Sequence, residues 1–145
     1  MTTQTPPLTG QDINLAARAV RDLLDVLLER TGLTFEQWLV VQALGPEANG
    51  LARQELVSDL SDRLRVEPTE VATTVSGLTH AGLLVDSPER VRLTPSGQSA
   101  YDGVQSGIRR VTARLYRPFA PDDLATTRRV LREIIERAPV VGAEL

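Results

Sequence analysis

Apolar residues recur along most of this chain at helical spacing. From Ile13 to Leu28 they fall at Ile13, Ala16, Ala17, Val20, Leu23, Leu24, Leu27 and Leu28. That i, i+3, i+4, i+7 pattern predicts an amphipathic helix ending at Thr31-Gly32. A second helix is announced by LTFEQWLVVQALG. Thr34 is a good N-cap, Gln37 completes a capping box, and Leu33 and Trp38 take the two staple positions. GPEANG follows as a loop. Leu56, Leu60 and Leu64 predict a third helix over about residues 52–64. Pro68, acceptable at a first helical position, opens a fourth that runs to about His80 with Val71, Val75 and Leu78 inward. Leu84-Val85 and Val91-Arg92-Leu93 flank a Ser87-Pro88 turn and predict a hairpin. Thr94 and Pro95 start a fifth helix with a stripe of Tyr101, Val104, Ile108, Val111 and Leu115. Pro118 breaks it, and Pro121-Asp122-Asp123 starts a sixth with Leu124, Val130, Leu131, Ile134 and Ile135 on one face.

The predicted class is mostly α with a small β-hairpin wing: a winged helix-turn-helix plus long N- and C-terminal dimerisation helices. The expected layout is a disordered lead-in over 1–10, an N-terminal dimerisation helix over 11–32 and a winged helix-turn-helix over 33–97. C-terminal dimerisation helices follow over 98–138, with a tail over 139–145. The end helices are long and apolar on one side, which predicts a face covered by a second copy in a symmetric dimer.

Three stretches carry a resemblance. LTFEQWLVVQAL (33–44), VATTVSGLTHAGLL (71–84) and VRLTPSGQSAY (91–101) occur in the order and spacing of the second helix, reading helix and wing-to-fifth-helix motifs of the MarR family of bacterial transcriptional regulators. The chain resembles that family over about residues 11–138. The resemblance implies a homodimer through helices one, five and six. It also implies duplex DNA read by the fourth helix and wing, and a small aromatic ligand held between lobes. Two departures stand out. The wing is shortened to Asp86-Ser87-Pro88-Glu89-Arg90, and about four extra residues lie between Leu60 and Val71, roughly one helical turn.

Composition narrows the chemistry. The 145 residues contain no cysteine and one histidine, His80, so thiol redox sensing, disulfides and a zinc cluster are excluded. No apolar run approaches a membrane span, and MTTQTPPLTG lacks the regions of a secretory signal, so a cytoplasmic protein is expected. No nucleophile elbow, phosphate loop or His-acid-Ser set is present, so no enzyme and no cofactor are expected.

Charge complicates the DNA reading. Residues 33–97 hold five arginines against nine carboxylates, so the module that should meet DNA is the most acidic part of a chain of net charge −3. Phosphate contacts by basic residues dominate DNA affinity. The candidates are Arg53 at the start of helix three and Arg90 and Arg92 on the hairpin. Thr69, Thr73 and Thr74 offer hydroxyls and methyls to phosphates or bases, and Glu70 an acceptor for a cytosine amino group. With no arginine for guanine, a modest, salt-sensitive, AT-leaning binder is expected. The alternative is an acidic winged-helix protein-interaction module that has lost DNA.

Trp38 and Tyr101 read first as core residues and second as the lining of a ligand pocket. Arg110 and Arg114 read as a solvated helix face, or as the docking point for an aromatic carboxylate or other anionic effector, because arginine holds carboxylates bidentately.

Overall fold

The structure, a computed structural model, describes residues 7–145. Of the disordered lead-in expected over 1–10, residues 1–6 lie outside the described residues. Six helices and a small sheet follow: α1 (Gly10–Thr31), α2 (Phe35–Leu44), β1 (Leu51–Ala52), α3 (Arg53–Leu64), α4 (Pro68–His80), β2 (Leu84–Asp86), β3 (Arg90–Leu93), α5 (Pro95–Tyr116) and α6 (Pro121–Gly142). The chain forms two compact units, one ending at Ile108 and one running from Arg109 to Leu145. Among the described residues, no helix is long and apolar enough to cross a membrane.

Helix starts follow the local chemistry. Thr34 accepts from the Gln37 N–H at 3.2 Å, and the Gln37 side chain accepts from the Thr34 N–H at 3.0 Å. The staple pair Leu33 and Trp38 is buried beneath that box. An equivalent box that the apolar pattern did not flag starts α1. Thr9 accepts from the Asp12 N–H, and Asp12 accepts from the Thr9 N–H and hydroxyl. Those hydrogen bonds hold the Asp12 carboxyl below its ordinary value. The helix therefore starts at Gly10, inside the expected lead-in.

The core of the first unit gathers Trp38, Val40, Val41 and Leu44 of α2, Leu56 and Leu60 of α3, and Val71, Val75 and Leu78 of α4. Leu28, Leu84, Val91 and Val104 complete it. Helix α2 has buried residues on several sides, as expected of a helix enclosed by its neighbours. Three strands lie in the order β1-β3-β2, all antiparallel. Strand β1 corrects the sequence reading, which ran loop straight into helix. Leu51 pairs with Val91 and Ala52 with Arg90, a partner about 40 residues away that local periodicity cannot register.

The motif at the start of α5 has a plain physical basis. The Thr94 hydroxyl donates to the Gly82 carbonyl at 2.7 Å and accepts from the Gly97 N–H at 3.0 Å. A Cβ on Gly97 would lie 2.1 Å from the Leu83 carbonyl oxygen, so only glycine lets α5 start this close to the end of the α4–β2 turn.

In the second unit, α6 runs to Gly142 and carries Pro139 within it. The tail expected from 139 is thus helical for four more residues. A proline there removes one N–H and does not stop the helix. No residue of α6 is buried, and Leu131, Ile134, Ile135, Val140 and Val141 are exposed. On α1, the expected stripe is likewise only partly covered: Leu28 is buried and Leu24 half-buried, while Val20 and Leu23 are exposed.

Candidate nucleic-acid interface

Helix α4 turns Val71, Val75 and Leu78 into the core against α2 and α3. That leaves Thr69, Glu70, Thr73, Ser76, Gly77 and His80 exposed and Thr74 half-buried. This is the polar face expected of a reading helix, and it carries no Lys or Arg. Glu67 is the N-cap and Glu70 lies in the first turn. Two carboxylates therefore occupy the helix N-terminus, where the dipole would otherwise favour a phosphate. The threonine hydroxyls are directed inward along the helix. Thr73 donates to the Thr69 carbonyl at 2.9 Å, and Thr74 donates to the Glu70 carbonyl at 3.1 Å.

Ahead of α4, the chain turns tightly. The Ser61 hydroxyl donates to the Val66 carbonyl, and the Val66 N–H donates back to the Ser61 carbonyl at 3.2 Å. Between them, Arg65 adopts φ 55° and ψ 47°, the left-handed conformation, and its side chain is exposed. The sequence reading counted Arg65 as charge but gave it no place. In the structure it stands exposed at the turn between α3 and α4.

The hairpin is short and closed. The Ser87 N–H and hydroxyl both donate to the Arg90 carbonyl at 2.9 Å, and the Ser87 hydroxyl accepts from the Arg90 N–H at 3.0 Å. Of the three expected phosphate ligands, two are partly engaged within the protein. Arg53 forms an ion pair with Asp86 of β2, and its backbone N–H donates to the Glu89 carbonyl at 2.9 Å. Its guanidinium bolts the start of α3 to the wing. Arg90 donates through Nε and Nη2 to the Asn49 and Gly50 carbonyls, both at 3.2 Å, and so ties the wing tip to the loop before β1. Arg92 is exposed on β3, across from Val85, and has no ion pair among the described residues. The structure thus brings Arg53, Arg90 and Arg92 to one small sheet and leaves Arg92 the least committed of the three.

The expected ligand residues separate. Trp38 is 1% exposed and stacks on Tyr101, with ring centroids 5.9 Å apart. With that burial Trp38 packs as a core residue, the first of its two sequence readings. Arg110 and Arg114 are exposed on α5 in the second unit. No group of three or more His, Asp or Glu able to hold a metal ion occurs among the described residues.

No protein-family model and no curated protein sequence matches the chain. Solved structures match it along nearly its whole length. A MarR family protein of Mycobacterium tuberculosis in complex with DNA superposes at TM-score 0.70 and 20% identity, covering 90% of this chain and 98% of that one. A MarR family transcriptional regulator from Silicibacter pomeroyi matches at TM-score 0.67 and 25% identity, covering 88% and 90%. NadR in complex with 4-hydroxyphenylacetate matches at TM-score 0.68 and 19% identity, covering 92% and 97%.

The chain has the MarR-family fold.

Within that fold, the winged helix-turn-helix spans α2 to β3, and the sequence reading of a mostly helical protein with a small wing holds. What that reading missed are the internal partners: Asp86 for Arg53, and the Asn49 and Gly50 carbonyls for Arg90. Their separations of 33, 41 and 40 residues leave no local trace in the sequence.

Proposed function

We propose that this protein is a homodimeric DNA-binding transcriptional regulator of the MarR type, acting in the cytoplasm without catalytic activity of its own. The observation that carries this reading is the exposed polar face of α4, held rigidly by three core residues beside an arginine-bearing wing. In this reading Thr69, Glu70, Thr73 and Thr74 meet base edges, and Arg92, with Arg90 and Arg53 in support, meets phosphates. The related fold solved in complex with DNA supports DNA as the partner. The exposed apolar faces of α1 and α6 support pairing with a second copy. NadR, solved with 4-hydroxyphenylacetate, supports control by a small aromatic or anionic effector. In that case Arg110 and Arg114 would hold the effector's carboxylate.

The test is fluorescence anisotropy of the purified protein against the DNA flanking its own gene, beside scrambled DNA, at two salt concentrations. Tighter, salt-sensitive binding to the native fragment is expected. No binding at low salt would reject the reading. One observation favours a second reading, a protein-interaction module. An open groove along α3 places Glu55, Asp59 and Asp62 around Ala43, Leu51 and Leu56, a surface suited to a basic partner.

A further inference from the structure

The hydroxyl hydrogens of α4 decide what its first two turns can recognise. A threonine hydroxyl has one hydrogen and two lone pairs. At Thr73 and Thr74 that hydrogen is committed to the carbonyls of Thr69 and Glu70, because a carbonyl cannot donate. What remains for a ligand at these positions is an acceptor and a methyl group. Glu70, exposed in the first turn, is acceptor-only when ionised. No Arg, Lys, Asn or Gln occurs anywhere between Pro68 and His80. The N-terminal part of a reading helix is the part that reaches base edges in the major groove. Here its three central side chains, Glu70, Thr73 and Thr74, offer acceptors and methyls together.

Base edges divide along the same line. Guanine presents N7 and O6, both acceptors, and so needs a donor that these three side chains lack. Cytosine presents its N4 amino group and adenine its N6 amino group, both donors, and thymine presents a methyl. We propose that Glu70, Thr73 and Thr74 read DNA through exocyclic amino groups and thymine methyls and leave the guanine edge unread. Glu70 accepts from a cytosine N4 amino group, Thr73 accepts from a cytosine or adenine amino group, and the threonine methyls pack on thymine. This goes beyond an AT-leaning site: C·G pairs are allowed wherever the cytosine faces Glu70 or Thr73. Specificity then comes from acceptors, and the phosphate contacts come from the wing and the α3–α4 turn.

This inference rests on the DNA-binding reading, and the experiment separates the two. The full-length protein is used to enrich duplexes from a random pool at low salt. The enriched duplex is then measured by anisotropy in three forms: unmodified, with every guanine replaced by 7-deazaguanine, and with every thymine replaced by uracil. The 7-deazaguanine form should bind within about twofold of the unmodified duplex, because no N7 contact is lost. The uracil form should bind at least about fivefold more weakly, because the methyl contacts are lost. Enrichment repeated with Glu70→Gln should change one position per half-site from cytosine to adenine, because an amide pairs bidentately with adenine N6 and N7. A large loss on the 7-deazaguanine duplex, no loss on the uracil duplex, or an unchanged preference with Glu70→Gln would each overturn the inference. A pool that yields no enriched duplex would overturn the DNA-binding reading beneath it, and this inference with it.

Discussion

Tyr101 lies nearly parallel to Trp38, with planes 18° apart and centroids 5.9 Å apart. The pair joins α2 to α5 inside the first unit, and a third residue makes room for it. A Cβ on Gly45 would stand 2.3 Å from Tyr101 Cε2, far inside contact distance. Gly45→Ala should therefore push the tyrosine ring off the indole. Overpacking of this kind costs about 2 kcal/mol. The denaturation midpoint should fall, and because Trp38 is the only tryptophan, its emission should shift at the same time. A midpoint and emission both unchanged would mean the ring lies elsewhere.

Arg65 holds a left-handed conformation that a side chain disfavours. Arg65→Gly should remove that cost and raise stability by about 1 kcal/mol, even though glycine also loosens the unfolded chain. Arg65→Ala keeps the cost and serves as the control. In DNA titrations both variants should lose the same phosphate contact and reduce the salt slope by about one unit. A variant that gains stability and loses affinity would mark a position where the fold tolerates strain for the sake of an exposed charge. If Arg65→Gly is no more stable than Arg65→Ala, the turn does not have this conformation.

The wing arginines should behave differently from one another. Arg92 has no ion pair among the described residues, so Arg92→Ala should reduce the salt slope by about one unit with little change in stability. Arg53 pairs with Asp86, with 31% and 19% of their side chains exposed. Arg53→Ala should destabilise the domain, and a double-mutant cycle with Asp86→Asn should return a coupling of about 1 kcal/mol, as expected of a partly exposed pair. Equal salt slopes for the two alanine variants would mean that Arg53 leaves Asp86 when DNA arrives.

What could be read from the sequence was what is decided locally. The Thr34–Gln37 box spans four residues, and the apolar period of α4 spans 13, so both were visible as letters. Strand β1 was not, because two residues cannot show an alternation and their partner lies on β3. The same limit governs the site. That Thr73 and Thr74 lie on α4, off its apolar stripe, follows from spacing. That their hydrogens point back along the helix is a matter of rotamer, which spacing does not encode. The arginines of the wing were found as residue types, but their partners were not, since each bond joins positions more than 30 residues apart. Trp38 was legible locally, since its staple position pointed to the core, where the ring lies buried.

Helix α6 has 22 residues and buries none of them within one chain. A helix of that length draws most of its stability from packing an apolar face, and here that face is open, with Ile135 71% exposed and Ile134 and Leu131 beside it. Association of two copies would supply the missing contact. In a two-fold dimer each substitution counts twice. Ile135→Asp removes burial of an isoleucine side chain, about 2 kcal/mol per copy, and places a charge in the interface. The dimer should weaken by at least about a thousandfold. Sedimentation velocity at micromolar concentration should find the wild type dimeric and Ile135→Asp monomeric. DNA affinity should fall along with dimerisation, because two half-sites are then no longer held by one particle. The exposed Arg129→Ala, which breaks only a surface pair with Glu133, should leave the dimer intact. A wild type that sediments as a monomer would remove the dimer, and an Ile135→Asp variant that remains dimeric would place the interface on another face.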